Sequence, residues 1–305
     1  MKQMKTITNI YLIIKKMKRS FVMVAMCLLF SAVVASCGPK SPFPGYTPTG
    51  TGLYYKQIVK GEGAPIKNGD VIKVRLAYYI NDSLLYTTDS LPEAAYDMVH
   101  ESPFQGDLYE GFRMMHVGDS MSFMINADSV FHKQFHAPII PDFVTPDAFM
   151  RWEVVVDEAM TEEAFQQMKE AEAAALQQAS RDAFAAYLAE NGVDAQPTES
   201  GLIYVCTKPG KGKKPVANQT VKVHYTGRLL DGTVFDSSID RGEPIEFPLG
   251  VHQVIPGWDE GIAMMSKGEK GVLYIPFDLA YGPRNMGPIS AYSNLVFEVE
   301  LVDFK

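Results

Sequence analysis

The chain has 305 residues, 47% of them apolar and 21% charged, a composition of ordinary globular domains rather than of a disordered segment or a membrane bundle. That length accommodates two or three domains, each able to bury a core. The formal charge of −8 divides unevenly: residues 1–36 hold six basic side chains and no acid, while the rest sets 22 basic against 36 acidic side chains, which argues against nucleic acid as a partner. The three cysteines form no C-x-x-C pair, so structural zinc and thioredoxin-like redox chemistry are disfavoured.

The basic stretch Lys15-Lys16-Met17-Lys18-Arg19 precedes an apolar run from Phe21 to Phe30 that continues through Ala32 to Ala35. About 15 apolar positions suit a signal-peptide core, whereas a membrane span needs roughly 20. The run ends in Val34-Ala35-Ser36-Cys37, which resembles the lipobox of bacterial lipoproteins. The resemblance implies a signal peptide over residues 1–36, lipidation of Cys37 and anchoring in the cell envelope. Gly38 in place of an aspartate implies the outer membrane, facing the periplasm. A plain secretory signal that happens to contain Cys37 is the alternative reading, and Met17 is a second candidate start that leaves the lipobox intact. Cys206 then remains as the free thiol. It lies in the alternating segment Leu202-Ile203-Tyr204-Val205-Cys206 and is expected to be a buried strand residue. Residues 37–50, rich in proline and glycine, read as a flexible tether.

The rest contains one unit written twice, at an offset near 150 residues. Thr51-Gly52-Leu53-Tyr54-Tyr55 matches Ser200-Gly201-Leu202-Ile203-Tyr204, and Ile72-Lys73-Val74 matches Val221-Lys222-Val223. Glu110-Gly111-Phe112-Arg113-Met114-Met115 matches Glu260-Gly261-Ile262-Ala263-Met264-Met265. The units span 51–159 and 197–305. Period-2 alternation marks strands at Val221–Thr226, Lys270–Ile275 and Leu295–Leu301, with a hairpin at Asp231-Gly232. A short helix from Pro256 to Met265 places Trp258, Ile262 and Met265 on one side. The fold class is therefore α+β: two antiparallel sheets, each wrapped on a short helix, joined by a long helix within 160–196.

That helix shows in the apolar recurrence Phe165, Met168, Ala171, Ala175, Ala179, Ala183 and Tyr187, with Thr161 as its cap and Gly192 as its stop. Its thin, alanine-rich stripe leaves three roles open: packing on a unit, homodimerisation through 161–191, or a solvated spacer.

The second unit resembles the FKBP family of peptidyl-prolyl cis-trans isomerases. The residues that carry the resemblance are Val223-His224-Tyr225-Thr226-Gly227, Asp231 to Ser238, Gln253-Val254-Ile255-Pro256-Gly257-Trp258, Ala280-Tyr281-Gly282 and Leu295 to Leu301. It implies a catalytic set of Tyr225, Phe235, Asp236, Trp258 and Tyr281, with Trp258 as the pocket floor. It assigns Arg241, Ile245, Phe247, Val254, Ile255, Ile289 and Phe297 to substrate binding, with the Ile255 N–H holding a substrate carbonyl. Proline-containing polypeptides are the implied partners, with no cofactor and no metal. The pattern departs at Ile245, which stands for a phenylalanine, at Asn285, and in the flap, where Ile289-Ser290-Ala291 replaces Ile-Pro-Pro.

The first unit has the frame without the pocket. Leu108 replaces Trp258, Leu85 replaces Phe235, Tyr86 stands for Asp236, Leu76 for Tyr225, Phe131 for Tyr281 and Trp152 for Phe297. It is expected to be a degenerate copy without activity. His132 and His136, spaced i, i+4, lack a third ligand and run into Pro138, so no metal is expected there. The expected function is isomerisation of Xaa-Pro bonds in exported proteins; the alternative is an envelope chaperone or scaffold in which both units bind clients.

Overall fold

The computed structural model describes residues 41–305; the stretch expected to be a signal peptide, Cys37 and the start of the expected tether lie outside them. The first unit builds a seven-stranded antiparallel sheet. Its strands are β1 (Thr47–Pro48), β2 (Tyr54–Val59), β3 (Asp70–Ile80), β4 (Ser83–Thr87), β5 (Tyr96–Met98), β6 (Ser120–Asn126) and β7 (Phe149–Thr161), and α1 (Leu108–Arg113) packs on it. A long helix, α2 (Glu162–Glu190), follows β7 without a break. The second unit contains β8 (Ile203–Lys208), β9 (Thr220–Leu229), β10 (Val234–Ser237), α3 (Ser238–Arg241), β11 (Ile245–Pro248), α4 (Pro256–Ala263), β12 (Lys270–Ile275) and β13 (Leu295–Phe304).

Strand order is the same in both sheets. The first runs β2-β6-β7-β3-β4 with β5 beside β3; the second runs β8-β12-β13-β9-β10 with β11 beside β9. Register agrees at single-residue level. Tyr78 faces Trp152 and Tyr86, as Gly227 faces Phe297 and Asp236. Both hairpins carry a bulge at the same place, with Leu85 and Phe235 as the extra residues.

Each core lies between the sheet and its short helix, which buries residues four apart on one face: Leu108 and Phe112 in α1, Trp258 and Ile262 in α4. The helices approach closely because glycine sits at the crossing. A Cβ on Gly111 would meet the Phe123 ring at 2.9 Å, and one on Gly261 would meet Leu273 at 2.4 Å.

Two expectations differ from the structure. Residues 43–48, assigned to the tether, are folded: β1 pairs with β2, the Phe43 ring lies 5.0 Å from Tyr54 and 4.8 Å from Phe149, and Tyr46 bonds Ser122 at 2.7 Å. Two aromatic side chains bury enough surface to outweigh the proline and glycine content. Cys206 is in a strand as expected but is exposed, because β8 is an edge strand whose register with β12 shifts beside it. Residues 130–134 form a π-helical turn and His136 lies beyond it, so no α-helical i, i+4 face joins His132 to His136.

Thr161 caps α2 by accepting from the Ala164 N–H, and the helix ends at Asn191 before Gly192 in the left-handed region. It packs on both units. Phe165 meets Tyr96 at 5.0 Å in the first, while Tyr187 lies 6.4 Å from Tyr274 of the second and Ser180 bonds the Tyr292 carbonyl there. Leu176, between these contacts, is 53% exposed.

Candidate functional site

Alternation along β9 turns Val221, Val223 and Tyr225 toward the helix α4. Tyr225 is fixed from behind by buried Ser238, whose hydroxyl accepts from the Tyr225 N–H at 2.7 Å and lies 3.3 Å from its carbonyl oxygen. In a regular strand Phe235 and Asp236 would point to opposite faces. The bulge in β10 removes that alternation, and both side chains line the same cavity. Ser237 caps α3 through the Asp240 N–H, and the helix ends at Gly242 with φ 80°. This one-turn helix brings Arg241 back over Asp236 and Tyr225.

The three side chains form a closed set. The Tyr225 hydroxyl donates to Asp236 and accepts from Arg241 at 2.8 Å, while the other guanidinium nitrogen pairs with the second oxygen of Asp236. Partial burial pushes the Asp236 carboxyl up, but hydrogen bonds from Tyr225 and Arg241 outweigh it and hold the group below the usual aspartate range. Burial, and then the bond to Asp236, raises the Tyr225 hydroxyl; burial, and then the charge of Asp236, raises Tyr281. Both phenols are therefore protonated donors at neutral pH.

Trp258 enters through α4, which opens with Ile255 as N-cap and Pro256 in the first turn. The indole is 4% exposed. Tyr225 and Phe297 meet it edge-on at 4.9 and 5.2 Å, and Phe235 meets Phe297 edge-on at 5.5 Å. Above this aromatic floor lies an open cavity of about 510 Å³. The carboxylate of Asp259 accepts from the Gly250 and His252 N–H groups at 2.8 and 3.0 Å, pinning the loop that carries Val254 and Ile255 to the rim. The Ile255 N–H has no acceptor among the described residues and belongs to a cavity-lining residue.

Nine of the residues assigned from the sequence line this cavity together: Tyr225, Phe235, Asp236, Ile245, Val254, Ile255, Trp258, Tyr281 and Phe297. Three assigned to substrate binding do not. Phe247 is 3% exposed and packs 5.7 Å from Trp258, in the core. Ile289 is buried in the same core, and Arg241 reaches the site only through Asp236 and Tyr225. An apolar side chain beside a pocket and one behind it are alike in sequence, which is why Phe247 and Ile289 could not be told from lining residues, whereas Arg241 takes the orienting place toward Asp236 and Tyr225. Sequence reasoning missed Arg284 and Met286 on the rim, and the supports Ser238 and Asp259. The Asp three residues after Pro256 was the available signal for the last.

In the first unit the corresponding space is filled. Tyr78 holds the register position of Gly227, and its ring lies 4.5 Å from Trp152, 5.8 Å from Phe135 and stacked at 5.4 Å on Tyr86. A Cβ at Gly227 would sit 2.7 Å from both Phe235 and Phe297, so the open pocket needs glycine there. Leu108 and Trp152 are buried, and no ionised carboxylate replaces Asp236, whose place Tyr86 takes.

Comparison with known proteins agrees with this geometry. The family profile described as FKBP-type peptidyl-prolyl cis-trans isomerase matches residues 211–302. The FKBP-type peptidyl-prolyl cis-trans isomerase FkpA of Aeromonas hydrophila is 54% identical over 118 residues, covering 38% of this chain and 43% of that one. The FKBP-type 22 kDa peptidyl-prolyl cis-trans isomerase of Escherichia coli is 52% identical over 122 residues, 38% of this chain and 57% of its own. The match thus spans about half the length of these two relatives. FK506-binding protein 1 of Dictyostelium discoideum is 50% identical over 106 residues and is covered over 99% of its length. With a relative 50% identical and covered over 99% of its length, and the family profile matching within the second unit, the chain belongs to the FKBP-type peptidyl-prolyl cis-trans isomerase family.

Proposed function

We propose that this protein accelerates cis–trans rotation about Xaa-Pro bonds of exported polypeptides, with the cavity above Trp258 as its site. One observation carries the reading: an open apolar cavity floored by a buried indole, with a single carboxylate held ionised in its wall. No bond breaks in this reaction. The barrier of about 18–20 kcal/mol comes from C–N double-bond character, and uncatalysed exchange takes tens to hundreds of seconds. The planar, charge-separated amide needs hydration of its carbonyl most, so transfer into an aromatic cavity raises the planar state relative to the twisted one. The Ile255 N–H is placed to hold a carbonyl of the bound chain, the Tyr281 hydroxyl to donate a second hydrogen bond, and Asp236 to face the dipole of the twisting amide. Arg241 and Ser238 act behind Asp236 and Tyr225 as positioning groups.

The first unit, on this proposal, is a copy of the fold without isomerase activity, a reading supported by the rings of Tyr78 and Trp152 filling its site. Lipid attachment at Cys37 and an envelope location, in the outer membrane facing the periplasm, rest on the basic stretch, the apolar run and Val34-Ala35-Ser36-Cys37. An acyl mass on the mature N-terminal cysteine tests them. Exposed Leu176 and the neighbouring alanines of α2 support pairing of two copies through the helix, which sedimentation tests. A chaperone role for the first unit has its own support in exposed Ile139 and Phe143, at 82% and 52%. Suppression of client aggregation that survives loss of the second-unit pocket is its test.

A protease-coupled assay on an Xaa-Pro tetrapeptide tests the main reading. Full-length protein is expected to accelerate the slow phase and Trp258→Leu to abolish the acceleration while far-UV circular dichroism is unchanged; a wild-type rate equal to the blank overturns it.

A further inference from the structure

The flap that borders the cavity runs from Gly282 to Tyr292 and carries Arg284 and Met286 into the lining, directly after Tyr281. Its two ends are tied by the Tyr292 N–H donating to the Gly282 carbonyl at 2.7 Å. Tyr292 itself sits at φ 59°, in the left-handed region that a tyrosine avoids. Such a residue persists where its surroundings over-determine it. Here part of those surroundings is supplied by a distant segment, the helix α2.

Ser180, in the second half of α2, donates its hydroxyl hydrogen to the Tyr292 carbonyl at 2.6 Å. Asn294, 4% exposed, donates to the Ser180 carbonyl at 2.9 Å and to its hydroxyl oxygen at 2.7 Å. The other end of the Asn294 amide accepts from the Phe277 N–H at 2.9 Å, which fixes its orientation. Phe277 in turn meets the Tyr292 ring edge-on at 5.4 Å, and the Arg181 guanidinium lies 5.1 Å from the Phe277 ring and 3.5 Å from Asp278. A buried amide, a left-handed tyrosine and the approach to Tyr281 are therefore all fastened to one turn of α2. The flap's own ties are a bridge between Met286 and Ile289, bonds from the Gly282 N–H to the Phe277 carbonyl and from the Arg284 N–H to the Tyr281 carbonyl, a turn bond from Ser293 to Ser290, a bond from the Ala291 N–H to Asn285, and the burial of Ile289 in the core; none of them holds the Tyr292 carbonyl.

We infer that Ser180 and Asn294 are positioning residues for the isomerase site, through which the interdomain helix holds the flap at the height that binds substrate. The inference rests on the proposed isomerase activity, and its test separates the two. In the full chain, Ser180→Ala removes the hydroxyl that both Tyr292 and Asn294 use and leaves the helix backbone in place. Hydrogen exchange of peptides covering 280–294 is expected to quicken roughly tenfold, with β9 and β13 unchanged. KM for an Xaa-Pro tetrapeptide is expected to rise about three- to fivefold with kcat within about twofold, the signature of lost binding rather than lost transition-state contact. Ser180→Thr, which keeps the hydroxyl, is expected to restore both readouts. Arg181→Gln, which removes only exposed contacts, is the second variant and is expected to shift both in the same direction by less.

An active wild type whose Ser180→Ala variant shows unaltered flap exchange and unaltered KM overturns the inference and leaves the isomerase reading standing. An inactive wild type whose variant still loosens the flap overturns the isomerase reading and, with it, the link to catalysis, while the fastening itself stands. Faster exchange throughout β9 and β13 identifies a general structural role and also overturns the inference.

Discussion

Gly227 offers a sharp test of how the pocket is kept open. Its backbone is not in the left-handed region, so Gly227→Ala meets no conformational penalty and gains about 0.4–1 kcal/mol by restricting the unfolded chain. Against this, the new Cβ would lie 2.7 Å from an edge atom of Phe235 and 2.7 Å from one of Phe297, where ordinary contact begins at 3.4 Å. Two walls of the cavity must each retreat by about 0.7 Å, the kind of overpacking that costs roughly 1–3 kcal/mol. The net expectation is a loss of about 1–2 kcal/mol, read as a lower urea midpoint at constant slope. Activity should fall further than stability. Wall rings displaced by a good fraction of an ångström correspond to a drop of roughly ten- to a hundredfold in kcat/KM. The matched assays are urea unfolding and a peptide isomerisation series on the same preparation. A variant that is as stable as wild type, with kcat/KM within twofold, would refute the claim that glycine at this position is what separates the open site from the filled one.

Asp236→Asn keeps the shape of the side chain and removes its charge. The ion pair with Arg241 is about two-fifths exposed, so the stability loss is expected below about 1 kcal/mol, while kcat/KM drops about tenfold. Because the folded carboxyl titrates below its ordinary value near 3.9, the stabilisation from Asp236 is fully present above that pH and is lost as pH falls through the folded value. Wild-type activity should accordingly be flat with respect to this group between about pH 5 and 8 and decline only in stronger acid, an acid limb absent from Asp236→Asn. Asp259→Ala frees the Gly250 and His252 N–H groups and slackens the rim loop. It is expected to raise KM several-fold and to destabilise by about 1 kcal/mol, checked by kinetics and thermal unfolding.

Much of this site was legible because its parts occupy short segments with rigid spacing. Phe235-Asp236, Val254-Ile255 and Trp258 each fall within one turn or hairpin, and the structure brings them to a common cavity with Tyr225, Tyr281 and Phe297. The long helix was legible for the same local reason: its cap at Thr161 and its stop at Gly192 act on neighbouring backbone groups. What was not legible depends on contacts between distant segments. Whether Phe247 and Ile289 line the pocket or lie behind it is decided by the packing of whole elements. The exclusion of Phe43 from the tether required knowing that Tyr54 and Phe149 meet beside it. The tie between Ser180 and Asn294 joins residues 114 apart that carry no motif. The substitution that fills the first site is Tyr78 at the position of Gly227, and it emerges only from strand register.

The most direct test is exchange spectroscopy of an Xaa-Pro tetrapeptide with catalytic amounts of the full-length chain and no coupling protease. The account predicts cis–trans exchange cross-peaks in the presence of wild type, and their absence with Trp258→Leu or Asp236→Ala at equal folded concentration. Exchange no faster with wild type than in buffer, or undiminished in both variants, would contradict it.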